Sequence, residues 1–217
     1  MKKKGKAICP LCKGTDKKEK IQGVDDRTYY FCNKCYLIYA DSRHYATLDK
    51  EKKRYLFHEN TLENAGYVNF LNTAIIPARH FIKTGDSGLD YGCGPVPVLS
   101  MLLEKAGIKC ENYDPFFFPY IDSSKRYDFI FATECFEHFF FPNMELEKVL
   151  GLLKKEGYLI VMTEKWKTKK SFKTWAYTKD FTHVMFYHGR TFKWIAKKYD
   201  LKMVWDNKKN VTIFKIE

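Results

Sequence analysis

Cys9-Pro-Leu-Cys12 and Cys32-Asn-Lys-Cys35 are two C-x-x-C knuckles on either side of the 13–31 stretch. Each knuckle presents two thiolates to one side of a tetrahedron, and two knuckles complete a closed four-sulfur site. The spacing is that of a zinc ribbon, and iron accepts the same ligands. Four protein thiolates leave no open coordination position, so such a metal is structural. A segment this short has little core of its own, and metal binding would supply its folding energy.

A second group of candidate residues follows the apolar run Tyr127-Asp-Phe-Ile-Phe-Ala, in Thr133-Glu134-Cys135-Phe136-Glu137-His138. Helical spacing puts Glu134, Glu137 and His138 on one rim. His183, in the run Asp180 to Tyr187, precedes a later helix and can return to that rim. Two carboxylates and two imidazoles can hold a divalent cation. Without a metal, the carboxylates can orient an imidazole that takes a proton from an acceptor. Glu137 as a helix N-terminal charge and His183 as a satisfied loop histidine are the structural readings of the same residues.

The third group is Leu89-Asp90-Tyr91-Gly92-Cys93-Gly94-Pro95. It reads as the end of a buried strand and a tight turn with two positions free of Cβ, where a ligand can approach the backbone. From Pro97, the positions Val98, Leu99, Leu102 and Leu103 share one helical face. Strand, glycine turn and helix open a nucleotide-binding α/β unit. Asp114 closes the next strand, about 20 residues after Gly94, where a carboxylate can take both ribose hydroxyls. A dinucleotide fingerprint needs a glycine at position 97, which is Pro97 here, so NAD and FAD are disfavoured. The chain has no P-loop.

The stretch Leu89 to Pro95 resembles motif I of class I S-adenosylmethionine-dependent methyltransferases, acidic-x-Gly-x-Gly-x-Gly. Asp90, Gly92 and Gly94 match it, and Val96 replaces its last glycine. Glu134-x-x-Glu137-His138 resembles the post-strand motif of ubiquinone-pathway O-methyltransferases. With a later histidine, the same pattern occurs in metal-dependent small-RNA 2′-O-methyltransferases. The arrangement as a whole looks like bacterial class I methyltransferases that carry an N-terminal four-cysteine ribbon. The resemblance implies a Rossmann-like, mostly parallel sheet and a cofactor, S-adenosylmethionine, held by Asp90, Gly92, Cys93, Gly94, Asp114, Pro115, Thr133, Glu134 and Cys135. It implies acceptor chemistry at Glu134, Glu137, His138 and His183.

The elements that must position these residues alternate over 85–217. Strands are expected near 87–91, 109–113, 127–132, 157–163, 201–206 and 211–216. Helices are expected near 97–106, 143–154 and 189–199, with Lys154 and Lys155 in the last turn of the second, where cations suit the helix dipole. Alternation means a parallel sheet covered on both faces, and the final two strands suggest an antiparallel hairpin. Only the 115–126 stretch separates Asp114 from Tyr127, too short for a strand and a crossover helix. The usual third strand is therefore expected to be absent or reduced, with Phe116, Phe117, Phe118 and Tyr120 in its place as an adenine wall or as packing. Residues 1–40 form the ribbon and 85–217 the catalytic domain. Residues 41–84 connect them through a helix over Leu48 to Phe57 and an apolar segment from Tyr67 that ends before Pro77. His58, Asn60 and Tyr67 of that connection are candidates to cover the cofactor.

The chain has 217 residues, 45% of them hydrophobic, enough for one domain with a real core plus a small appendage. Net charge is +12, and the 1–40 segment holds ten Lys plus Arg against four Asp plus Glu. That balance permits an acidic partner without requiring one. Lysines and tryptophans of Lys165-Trp-Lys-Thr-Lys-Lys-Ser-Phe-Lys-Thr-Trp175 would suit nucleic acid; a substrate lid or a solvated loop fits as well. No apolar run reaches the length of a membrane span, and the basic start has no signal-peptide core behind it. Seven cysteines, an odd number with two close pairs, fit metal binding in a reducing cytoplasm. The reading is a methyltransferase acting on a small-molecule acceptor. RNA methylation and a zinc-ribbon interaction protein with a degenerate methyltransferase fold are the alternatives.

Overall fold

A computed structural model of the protein describes residues 8–15, 19–57 and 60–217. Along the chain run β1 (Glu19–Gln22), β2 (Thr28–Phe31), β3 (Ile38–Ala40), α1 (Leu48–Leu56), α2 (Ala65–Ala78), β4 (Ser87–Tyr91), α3 (Val98–Lys105) and β5 (Lys109–Tyr113). They are followed by β6 (Tyr127–Thr133), α4 (Pro142–Gly151), β7 (Leu153–Met162), α5 (Lys169–Phe172), β8 (Met185–Phe186), α6 (Gly189–Lys198), β9 (Leu201–Asp206) and β10 (Val211–Ile216).

Six strands make the central sheet in the order β5-β4-β6-β7-β10-β9. The pairs β4/β5, β4/β6 and β6/β7 are parallel, and β10 runs antiparallel to both β7 and β9. Side chains alternate across the strands, so one sequence run feeds two cores. Phe129 and Phe131 of β6, with Ile160 and Met162 of β7, pack under α2 and α3. Ile130 and Ala132, with Leu159 and Val161, point to the opposite face, against α4 and α6. Among the described residues β5 is an edge strand. The chain from Asp114 to Arg126 adds only an isolated bridge between Asp114 and Phe118, so the usual third strand is absent there, in line with the expectation that it is absent or reduced.

Two local readings need correction. Lys154 and Lys155 lie in β7, not in the last turn of a helix: α4 stops at Gly151, and Leu153 already pairs with Tyr127. Lys154 instead meets Asp128 at 2.8 Å. The apolar segment expected to end before Pro77 continues as helix to Ala78, one residue past it, where the proline removes one N–H donor from the last turn.

The second sheet, β1-β2-β3-β8, is antiparallel and joins the ribbon to the rest of the chain. Ile38 and Tyr39 of β3 pair with Phe186 and Met185 of β8. Aromatic rings fill the junction. Tyr29 meets Phe172 edge-on at 5.4 Å and Phe186 at 5.6 Å, and Phe31 meets Trp166 at 5.8 Å. Trp166 is 5% exposed and Phe172 is fully buried. These rings of the basic 165–175 run are core, not a stacking platform for bases. Trp175, half-buried, stacks on Tyr177 at 4.9 Å.

Candidate active site

A cleft of about 580 Å³ opens over the carboxyl ends of β4, β5 and β6. Gly92 turns the chain at the end of β4 with φ +87°. A Cβ there would stand 2.7 Å from Cys135 Cβ, so the position excludes a side chain on both backbone and steric grounds. Gly94 follows with φ +69° and open space around its Cα. The amides of Gly92 and Cys93 both donate to Tyr113 O, at 2.7 and 3.1 Å. Asp114 is 5% exposed. One of its oxygens accepts from Gly94 N at 3.1 Å, the other from Phe116 N at 2.8 Å and Phe117 N at 3.2 Å. Asp90 is buried, and its Oδ1 has no hydrogen-bond partner. Burial first, then the neighbouring Asp114, pushes its pKa up to about 7. Pro115, Thr133, Glu134 and Cys135 complete this half of the cleft, and Tyr67 and Asn60 line it from the connecting segment. His58 lies outside the described residues.

The other half is aromatic and acidic. Tyr55, Phe116, Phe139, Phe140 and Phe141 line it, together with Glu51 and Glu145. Glu51 accepts from Tyr55 Oη at 2.7 Å and Glu145 from Tyr91 Oη at 2.6 Å. Among the described residues, no lysine or arginine lines the cleft. Phe117 meets Lys52 instead, and Tyr120 is exposed.

Glu137, His138 and His183 converge, each offering one ligand-competent atom within 4.8 Å of the others; the two histidines line the cleft, and Glu137 is fully buried beside them. Glu137 and His138 belong to a short 3-10 turn after β6, and His183 arrives on the loop before β8. Each imidazole is fixed through Nδ1: His138 to Thr182 O at 3.1 Å, His183 to Tyr177 O at 2.8 Å. A carbonyl only accepts, so Nδ1 carries the proton and Nε2 keeps its lone pair. Burial lowers the pKa of both histidines to about 4. Tyr177 donates to Glu137 Oε1 at 2.5 Å and approaches Glu134 Oε2 at 3.4 Å. Glu134 Oε1 and Glu137 Oε2 are buried without partners. Burial, then repulsion from Glu137, pushes the Glu134 carboxyl well up. Glu134 itself holds φ +49°, a conformation that costs a non-glycine residue about 1–3 kcal/mol.

The four ribbon cysteines also come together, their sulfurs within 4.8 Å of one another. Cys9–Cys35 and Cys12–Cys32 Sγ separations are 3.6 and 3.5 Å. A tetrahedron of ~2.3 Å zinc–sulfur bonds has edges of roughly 3.8 Å. The two knuckles share one backbone form: Lys13 and Tyr36, each just after the second cysteine, have φ +54° and +61°. Their amides donate to Cys9 O at 3.0 Å and Cys32 O at 2.8 Å.

The structure thus brings Asp90, Gly92, Cys93, Gly94, Asp114, Pro115, Thr133, Glu134 and Cys135 to one cleft, lined also by His138 and His183, with Glu137 buried beside them. It adds Tyr177, Tyr55, Glu51 and Glu145. Tyr177 lies just upstream of the run that begins at Asp180 and carries no motif of its own. Tyr55 and Glu51 sit four apart on α1, so a helical reading of that segment already put them on one face.

A mostly parallel sheet with a glycine turn, an acidic strand end and a cleft above both is an architecture that nucleotide-binding α/β proteins share. Residues 46–205 match a protein family described as a methyltransferase domain. The match spans more than half of the chain, which belongs to that family and is an enzyme. No curated protein matches significantly. Among solved structures, the chain is similar to the plantazolicin methyltransferase BpumL, solved with a monoazolic desmethylPZN analog and SAH. Identity is 15%, the TM-score is 0.51, and the match covers 78% of this chain and 91% of that one. A TehB-like SAM-dependent methyltransferase from Corynebacterium glutamicum matches at 15% identity and TM-score 0.49 over 78% and 99% of the chains. A SAM-dependent methyltransferase from Archaeoglobus fulgidus matches at 15% and 0.48 over 69% and 99%.

Proposed function

We propose that the chain transfers a methyl group from S-adenosylmethionine to a small-molecule acceptor. The observation that carries this is the union in one cleft of the Gly92–Gly94 turn, buried Asp90 and strand-end Asp114. Asp114 would take a ribose hydroxyl on the Oδ2 lone pair its backbone bonds leave free, and Cys93, Pro115, Thr133, Glu134 and Cys135 would line the cofactor. The unpartnered oxygen of Asp90 suits the cationic methionine end. S-Adenosylmethionine supplies a methyl group already activated on a sulfonium. The protein's task is then to align the acceptor and take its proton.

For that task we assign Glu134, Glu137, His138 and His183. Both histidines are neutral near pH 7 and present Nε2 lone pairs beside a buried carboxylate oxygen. Tyr177 donates to Glu137 Oε1, but Glu137 Oε2 stays without a donor and, beside two imidazole lone pairs, suits a cation. A divalent ion held by Glu137, His138 and His183 would lower the pKa of an acceptor hydroxyl; without it, an imidazole takes the proton directly. An apolar, aromatic acceptor fits walls made by Tyr55, Phe116 and Phe139 to Phe141. In the ribbon, Cys9, Cys12, Cys32 and Cys35 would hold one structural zinc.

Calorimetry tests the first claim: S-adenosylmethionine and S-adenosylhomocysteine should both bind, and no binding of either would overturn it. Titration of Mn²⁺ into zinc-loaded protein tests the second. Binding that is lost in His183→Ala supports a metal centre. No Mn²⁺ binding, with methyl transfer indifferent to EDTA but slowed by His183→Ala, assigns the base role instead.

A further inference from the structure

The ribbon hairpin between β1 and β2 sends Arg27 into the rest of the chain. Its side chain is only 10% exposed, and all five guanidinium N–H groups have acceptors. Nε donates to Asp25 Oδ2 at 2.6 Å. Nη1 donates to Phe181 O at 3.1 Å and His183 O at 2.9 Å. Nη2 donates to Asp180 O at 3.1 Å and to Thr178 O. Four carbonyls of one six-residue loop thus converge on a single cation, and that loop carries His183. Asp25 is held in turn by Tyr29 Oη at 2.9 Å.

The loop's other backbone ties are local or run to the cleft: Thr178 N donates to Trp175 O, His183 N to Asp180 O, and Thr182 O and Tyr177 O accept from the two imidazoles. The loop forms no strand until β8, and a buried backbone carbonyl without a donor is costly. Beyond His183 the ribbon continues the support: Ala40 N donates to Val184 O at 2.8 Å, and Val184 N donates to Glu137 O at 2.8 Å. From ribbon to Glu137, the connection is therefore hydrogen-bonded throughout. On the loop's other side, Asp180 accepts from Thr182 Oγ1 at 2.6 Å and pairs with Arg54 of α1 at 2.8 Å.

We infer that Arg27 is a positioning residue for His183, and that the four-cysteine ribbon is a working part of the catalytic wall. This rests on the assignment of Glu137, His138 and His183 to acceptor chemistry. A lysine cannot replace Arg27, because an ammonium has three donors and no planar fork, whereas the guanidinium serves five acceptors at once. Neutral substitution leaves four carbonyls facing a cavity shaped for a guanidinium ion.

The test uses full-length, zinc-loaded Arg27→Ala and Arg27→Lys with three readouts that need no acceptor. Zinc content and S-adenosylhomocysteine affinity report whether ribbon and cofactor half are intact. Imidazole ¹⁵N signals of His183 and amide exchange over 178–184 report the loop, with His188 as internal control. Expected are unchanged zinc and S-adenosylhomocysteine binding, a shifted or broadened His183 signal, and exchange faster by about tenfold or more. Added guanidinium ion should reverse the change in Arg27→Ala and not in Arg27→Lys. Unchanged His183 signals and exchange in a zinc-loaded variant would overturn the inference. So would loss of zinc in both variants, which would make Arg27 a folding residue of the ribbon. If S-adenosylhomocysteine fails to bind the wild-type protein, it is the methyltransferase reading that falls, and the His183 readout still decides the role of Arg27.

Discussion

Gly94 N donates to Asp114 Oδ2 across 3.1 Å, tying the glycine turn after β4 to the end of the neighbouring strand. The carboxylate that would meet the ribose therefore also shapes the loop beneath it, and its other oxygen closes the turn at Phe116 and Phe117. Binding and loop geometry share one residue.

Asp114→Ala should weaken S-adenosylmethionine binding by about 1.5–3 kcal/mol, the range for hydrogen bonds to a charged group. It should also lower the melting temperature of cofactor-free protein, because three amides lose their acceptor. Calorimetry and thermal melting separate the two effects. Unchanged affinity would leave Asp114 as a loop residue alone.

Gly92 and Gly94 should respond differently to alanine. At Gly92 the new Cβ meets Cys135 at 2.7 Å in a left-handed backbone, so Gly92→Ala should cost at least ~1–3 kcal/mol of stability. At Gly94 the Cβ meets nothing within 4 Å. Gly94→Ala should therefore lose only the ~1–2 kcal/mol of a left-handed alanine, less than Gly92→Ala, while cofactor affinity drops, because the methyl enters the ligand's space. Equal stability losses in the two variants would contradict this division.

The sheet was legible because its strands carry their own signals: apolar runs, a glycine turn and the spacing from Gly94 to Asp114. Absence of the third strand followed from chain length alone. What the sequence did not disclose is how the ribbon attaches. β8 is only two residues long, too short for a period, and Arg27 reaches the carbonyl of His183, far along the chain. The aromatics of 165–175 were ambiguous for a related reason. Trp and Phe between lysines read alike whether they stack on bases or fill a junction with another segment. Glu134, Glu137 and His138 were found by spacing, but Tyr177, which bonds Glu137, joins them only through tertiary structure.

Buried Asp90 should make cofactor binding proton-linked. Burial and Asp114 raise its folded pKa to about 7, while an unfolded aspartate titrates near ~3.9. Between these values the native state holds a proton that the unfolded state has lost. This group's stabilisation is thus fully present below about pH 4 and lost as pH rises toward 7. A cationic ligand beside Asp90 favours the carboxylate, so binding near pH 6 should release up to about one proton. Calorimetry in two buffers of different ionisation enthalpy reads that proton directly. Asp90→Asn should abolish the release, and an unchanged proton count would locate it elsewhere.

If Cys9, Cys12, Cys32 and Cys35 hold zinc, as proposed, its removal should be felt by the whole protein. Tyr29 and Phe31 of the ribbon pack against Trp166, Phe172 and Phe186, and β3 pairs with β8. A ribbon that loses its four-sulfur site therefore uncovers part of the main core rather than unfolding alone. Metal analysis of wild-type protein should find about one zinc per chain, as a closed four-cysteine site requires, and Cys32→Ser should lose it. If the variant costs ~3 kcal/mol, the melting midpoint should fall by roughly 6–12 °C, at ~2–4 °C per kcal/mol for a chain of this size. The transition should stay single, because the ribbon and the sheet share one hydrophobic cluster. Two separate transitions, with the upper one at the wild-type temperature, would show instead that the ribbon folds as an independent appendage. Absence of metal from protein prepared without chelators, with melting unaffected by Cys32→Ser, would rule out the zinc site itself.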